Sequence, residues 1–195
     1  MWPWTAIMGE SSVSVGVAAA AVDEAVQLCR AKTAAYNATP LVEQGFTGAG
    51  QTVVVFAFDG FRQDDMDNFA TTYGLPPFTP QVVGGLPERL IGEANMDLQV
   101  IHAIAPNANL VLVNARSTTT NDGGGAFEKL GRLMEDIDRD FPGAIWSFSI
   151  GWGCDRLFTA ADFAPVRSAL TTALRHGTTA FNAAAPRRDG ARPQS

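Results

Sequence analysis

The amino-acid sequence predicts an α/β fold, a parallel sheet with helices on both faces. Three observations lead there. Three apolar runs rich in β-branched residues, "QTVVVFAFD", "ANLVLVNAR" and "GAIWSFSIG", have the near-continuous hydrophobicity of strands buried on both sides. Segments of helical period separate them, the alternation expected of right-handed βαβ crossovers. The chain has 195 residues, 46% apolar and 17% charged, enough for one well-packed domain and too short for two comfortable ones.

The elements follow in order. "DEAVQLCRAKTAAY" (23–36) has helical composition with an acidic first turn, and "NATPLVEQGFTGAGQ" reads as loop and turn. The first strong strand spans 51–59, and helical spacing returns in "RQDDMDNFATTYG", ending at Gly74. "QVVGG" is a short strand, followed by a helix in "GEANMDLQVIHAIAP" (92–106) and the second strong strand at 108–116. After the loop "STTTNDGGG", "AFEKLGRLMEDIDRDF" places Phe127, Leu130, Leu133, Met134 and Ile137 on one helix face. A third strong strand lies in 143–151. "TAADFAPVRSALTTALRHG" is a further helix with Gly177 as its C-terminal stop, and "TTAFNAA" begins another strand. The tail "APRRDGARPQS" has no apolar periodicity and looks foreign to the domain.

A net charge of −6 and a pI near 4.8 argue against nucleic acid as partner. No run of eighteen apolar residues indicates a membrane helix. An apolar stretch runs from Val13 to Val22, but no Lys or Arg precedes Arg30, so the basic region of a signal peptide is missing. Cys29 and Cys154 are too few for a disulfide framework and form no metal spacing; one disulfide or two thiols both fit.

Five segments are candidates for chemistry. Asp59-Gly60 closes the first strong strand at the carboxyl edge, where open α/β sheets place ligands, although Asp-Gly is also an ordinary turn. "HGTTA" offers His176, but this histidine ends a helix, where the dipole accounts for it. The glycines of "GFTGAGQ" precede a strand and so form a turn, not a dinucleotide fingerprint. "NDGGG" follows a strand and precedes a helix, yet with no Lys-Ser/Thr after it a flexible loop is the better reading. Glu93 and Asp97 are the sharper signal. They share a helix face at i,i+4, where like charges repel, and Met96, Leu98, Val100, Ile101 and Ile104 leave little of that helix for water. A carboxyl pair in a partly buried site shares a proton and yields a general acid/base; a solvated helix face is the plainer alternative.

"TGAGQTVVVF", "FDGF", "GEANMDLQVIHAIAP", "LVLVNA" and "SFSIGWGCD" together resemble the sedolisin family of serine-carboxyl peptidases, over roughly Tyr36 to Phe181. The resemblance implies a subtilisin-like fold with a Ser-Glu-Asp set. Glu93 then matches the general base that takes the serine proton, and Asp97 the acid that orients it. "SFSIGWGC" matches the edge lining the substrate cleft. Ser147, Ser149, Ile150 and Gly151 are its substrate-binding candidates, with Ser149 to Gly151 offering backbone to a peptide as an added strand.

The likeness stops where catalysis is completed. Ala184, Ala185 and Pro186 stand where the family has Ser-Gly-Asp, whose aspartate serves the oxyanion hole. The nucleophile's Gly-Thr-Ser-x-x-x-Pro motif is not in this sequence, and the family's calcium site would fall beyond its end. No cofactor or metal is therefore expected, nor the family's amino-terminal prodomain. The expected organisation is an extension over 1–35, a partial peptidase domain over 36–182, truncated at its C-terminal side, and an unrelated tail over 183–195. One base out of frame, the codons for "PRRDGA" can give Leu-Ala-Gly-Met-Glu, close to what the family has after its aspartate. A frameshifted or misassembled gene is the expected origin. The expected function is that of a serine-type endopeptidase fragment, acting on peptide or unfolded protein by ancestry and inactive alone. An extracellular location is implied only by the resemblance. A non-catalytic peptide-binding module is the alternative, and a flavodoxin-like binding domain with an anion site at Asp59 or Asn121 to Gly125 is a third reading.

Overall fold

A computed structural model describes residues 43, 45–90, 92–120, 125–151 and 158–182. The expected helix over 23–36, both cysteines, most of "NDGGG" and the tail from 183 lie outside the described residues. The described chain runs β1 (Thr52–Ala57), α1 (Gln63–Tyr73), β2 (Gln81–Val83), α2 (Glu93–Ile104), β3 (Asn109–Asn114), a 3-10 turn (Ala115–Thr119), α3 (Ala126–Asp140), β4 (Ile145–Phe148), α4 (Ala164–Arg175) and β5 (Thr179–Asn182). The five strands form one sheet, order β2-β3-β1-β4-β5, and every pairing is parallel. An α/β fold with helices on both faces is thus what these residues adopt.

Pleating explains why the apolar runs are continuous. Alternate residues of a strand point to opposite faces, and on β1 both sets are covered. Val53, Val55 and Ala57 pack with Leu110, Leu112, Met66, Ala94 and Leu98 under α1 and α2. Val54 and Phe56 pack with Val111, Val113, Trp146, Phe148 and the buried faces of α3 and α4. Phe56 stacks on Phe148 with centroids 4.3 Å apart, and Trp146 meets Phe56 edge-on at 5.5 Å. Four of the five apolar positions expected on α3, Phe127, Leu130, Met134 and Ile137, are buried, and Leu133 packs against their rim.

One expectation is corrected. The crossovers do not all share a hand. Leaving β1, the chain steps to β2 under α1, then returns to β3 under α2, and both helices cover the same face. Reversing direction on one face reverses the hand. The steps to β4 and β5 run the opposite way from the first and carry α3 and α4 on the other face, so they share its hand. Taking that majority hand as the right-handed one favoured by strand twist, β2–α2–β3 is left-handed, a rare connection. The α1–α2 contact offers the compensating packing: Phe69 and Ala103 are buried between the helices, with Tyr73, Met96 and Val100 around them.

Strand ends are shorter than the apolar runs. The first strand closes at Ala57 and the fourth at Phe148, because pairing stops there. The helix expected over 159–177 begins only at Ala164, with Pro165 in its first turn, and Gly177 ends it at φ 94°. Gly48 in "GFTGAGQ" takes φ 77°, and a Cβ there would come within 2.7 Å of Ala105, so that segment is a turn built for close approach. Among the described strands β5 is outermost beyond β4, and Phe181 on it is 61% exposed. Ile104, expected to face away from water, is 49% exposed at the end of α2.

Two outcomes follow from packing. Gly131 lets α3 lie against α4, since a Cβ there would sit 3.0 Å from Pro165. Gly131→Ala should therefore destabilise by about 1 kcal/mol or more despite alanine's better helix propensity, read from a denaturant melt. His102 is buried on α2, its ring stacked 3.8 Å from Phe78 and its Nε2 donating to the Pro76 carbonyl at 2.8 Å. Nδ1 is buried and has no partner among the described residues. Burial lowers the pKa of His102, against a smaller opposite pull from the Pro76 carbonyl. The neutral ring thus favours folding above the unfolded histidine value of about 6.5, and that contribution is lost as pH falls below it toward the depressed folded value. Stability should drop over that window, and His102→Gln should flatten the drop in melts taken across pH.

Candidate active site

The segments that leave the carboxyl ends of β1 and β4 meet the first turn of α2. Asp59 leaves β1 two residues after its last paired residue. Its Oδ2 accepts the Glu93 N–H at 3.0 Å and its Oδ1 accepts the Ala94 N–H at 3.1 Å. These are orphan donors of the helix start, and negative charge there is favoured by the helix dipole. The residue that ordinarily caps is Gly92, which has no side chain to do so. A Cβ on Gly92 would fall on the Asp59 carboxylate, so glycine is what admits a cap from a distant strand. Gly60 donates its N–H to the Arg89 carbonyl at 2.7 Å, and a Cβ on it would lie 3.1 Å from Leu86 and 3.2 Å from the Pro87 carbonyl. Asp59-Gly60 therefore clamps residues 86–90 and the start of α2, and is not a free turn.

Glu93 is the first residue of α2 and is exposed; Asp97, one turn on, is partly buried. The helix thus brings the two expected carboxyls onto one face at the carboxyl edge. Although Glu93 keeps much of its surface in water, partial desolvation of its carboxyl beside the sheet raises its pKa, and the charges of Asp97 and Asp59 push it further up. Burial likewise raises Asp97, a hydrogen bond from the Ser149 side chain pulls it back down, and Asp59 adds to the rise. Oδ2 of Asp97 is buried with no partner among the described residues. A carboxylate oxygen so placed is expensive to keep charged.

The substrate-side candidates divide. Ser147 lies inside β4, opposite Val55 on one side and Phe181 on the other, so its backbone belongs to the sheet and not to an edge a peptide could join. Ser149, Ile150 and Gly151 follow the end of the strand. The Ser149 side chain is engaged by Asp97, Ile150 packs against the core and Gly151 is buried. Asn114, at the end of β3, donates from Nδ2 to the carbonyls of Gly84 (3.3 Å) and Gly85 (3.0 Å), holding the exit of β2 to the same edge. Among the described residues no group of three or more His, Cys, Asp or Glu side chains could hold a metal ion. No helix among them is long and apolar enough to cross a membrane.

His176 has a partner as well as a dipole. Its Nδ1 lies 2.6 Å from Oδ2 of Asp138, a buried residue in the last turn of α3. This pair sits before β5, at the opposite edge of the sheet from Glu93 and Asp97. The two functional features the sequence did not disclose are the capping by Asp59 and the tie from Ser149 to Asp97. Local capping rules look within a few residues, and Asp59 acts across 34.

The raised pKa values carry a stability consequence. A carboxyl whose folded pKa is raised favours folding when protonated and loses that contribution as pH rises through the folded value. Asp97→Asn keeps the shape and an acceptor for Ser149 while removing the charge. It should raise stability at neutral pH by a few tenths to about 1 kcal/mol, with the gain vanishing in acid. Melts at neutral pH and in acid check both parts; a loss at neutral pH would show that the ionised Asp97 stabilises the fold.

No family model matches the chain, and no curated protein matches it.

Proposed function

We propose that this chain carries the acid/base half of a sedolisin-like serine-carboxyl peptidase domain, in a subtilisin-like fold, and that alone it cleaves nothing. The observation that carries the reading is the Glu93–Asp97 pair. Two carboxyls with raised pKa values lie on one helix face at the carboxyl edge of a parallel sheet, and the inner one is tethered by Ser149. In this reading Glu93, the more exposed member, receives the proton of an attacking hydroxyl, and Asp97 shares and orients it. A base held near its own protonation range works in acidic surroundings, which suits a peptidase acting on unfolded protein.

Acyl transfer also needs a nucleophile and a donor for the oxyanion. The 195 residues contain no Gly-Thr-Ser-x-x-x-Pro segment, and Ala184, Ala185 and Pro186 stand at the place of Ser-Gly-Asp. Ser149 is no substitute in this reading, since its hydroxyl acts on the orienting acid Asp97. Peptide or unfolded protein is the proposed ligand class, docking beside Ser149 to Gly151 where the sheet pairing of β4 has ended.

Incubation with an unfolded protein at about pH 4, where ordinary carboxyls begin to protonate, should give no cleavage. Glu93→Ala should leave that result as it is. Turnover that disappears in Glu93→Ala would overturn the inactivity. A wild-type chain whose Glu93 and Asp97 titrate like free carboxyls, followed by carboxyl 13C NMR, would overturn the acid/base reading itself.

A further inference from the structure

We propose that Asp59 is the positioning residue of the Glu93–Asp97 pair: its carboxylate grips the first turn of α2 and sets a third negative charge beside the two, so that the shared proton stays on the pair. The inference rests on the acid/base reading above and adds a residue to it. Asp59 acts through Glu93 and Asp97 and is not offered as a group that touches substrate.

The geometry has three parts. First, Asp59 takes both the Glu93 and Ala94 N–H groups, at 3.0 and 3.1 Å. The donors that would stabilise a charged Glu93 at a helix start are thereby used up by another carboxylate. Second, the clamp is tightly packed. Gly92 has no space for a Cβ beside the Asp59 carboxylate, and Gly60 has little beside Leu86, Pro87 and Leu90. The two N–H bonds thus hold the Asp59 carboxylate against the start of α2, where a side chain on Gly92 would displace it. Third, the charged neighbours that shift the pair among the described residues are acidic. Asp97 and Asp59 act on Glu93, and Asp59 and the Ser149 hydroxyl act on Asp97; no Lys, Arg or His is among the groups shifting either. With Asp97 Oδ2 buried and unpartnered among the described residues, ionising both members beside Asp59 brings three negative carboxylates together. Retaining one proton relieves this.

The test is a carboxyl 13C NMR titration of the full chain and of Asp59→Asn. Asparagine retains one acceptor oxygen for the helix start and removes the charge. The midpoints of Glu93 and Asp97 should fall by roughly half a pH unit or more. Unchanged midpoints in a folded Asp59→Asn chain would overturn the proposal while leaving the acid/base reading intact. Midpoints already ordinary in the wild type would remove both. A second variant, Asp59→Ser, keeps a hydroxyl acceptor for the helix start without the charge and should lower the same two midpoints; unchanged midpoints in it would overturn the proposal. A residue that merely capped the helix would shift melting in Asp59→Asn and leave the carboxyl midpoints where they were.

Discussion

The grip of Asp59 on the start of α2 is the interaction on which the rest of the site depends. It joins the end of the central strand to a helix that begins 34 residues later. It brings that helix to the carboxyl edge with its first turn facing β1 and the end of β4. The rare opposite-handed return from β2 to β3 places α2 beside α1 on one face. The clamp then fixes where along that face α2 starts. Gly60 and Gly92 are the small residues that let the segments approach so closely. Without the clamp, Glu93 and Asp97 would still share a helix face, but their place relative to Ser149 would be open.

The site is built against the ordinary direction of stability. Two carboxyls are raised mainly by burial, and the third neighbour is also an acid. Structural electrostatics would supply a cation here, as Arg139 does for Asp136 and Asp140 on the exposed end of α3. Clusters that keep like charges together at a strand edge are where proton-transfer chemistry is found, although structural networks also perturb such groups. His102 tilts the same helix the other way, since it favours the neutral ring and loses its contribution in acid. The chain thus holds groups with opposite pH responses within three turns of α2.

Much of the fold was legible because burial leaves a strong pattern. Val53 to Phe56 and Leu110 to Val113 are apolar at every position because helices cover both sides of the sheet. The face of α3 could be read from spacing alone. The Glu93–Asp97 pair was legible too, since i,i+4 on an apolar helix is a local signal. The hand of the β2–α2–β3 connection was not, because no local residue encodes on which face a helix returns. Nor was the role of Ser147, whose strand lies between two others and offers no free edge. The Asp59 clamp was half legible: an Asp-Gly at a strand end marks the edge, but its partner lies too far along the chain for spacing to reveal.

The central claim is that the pair at the head of α2 keeps a proton that ordinary carboxyls have given up. Infrared difference spectroscopy of wild type against Glu93→Gln, followed as pH falls from neutral toward the range where free carboxyls protonate, measures this directly. The account predicts a protonated-carboxyl C=O band that grows in at higher pH than a free carboxyl's in the wild type and is lost in Glu93→Gln. Identical spectra in that region, with both chains folded, would contradict it.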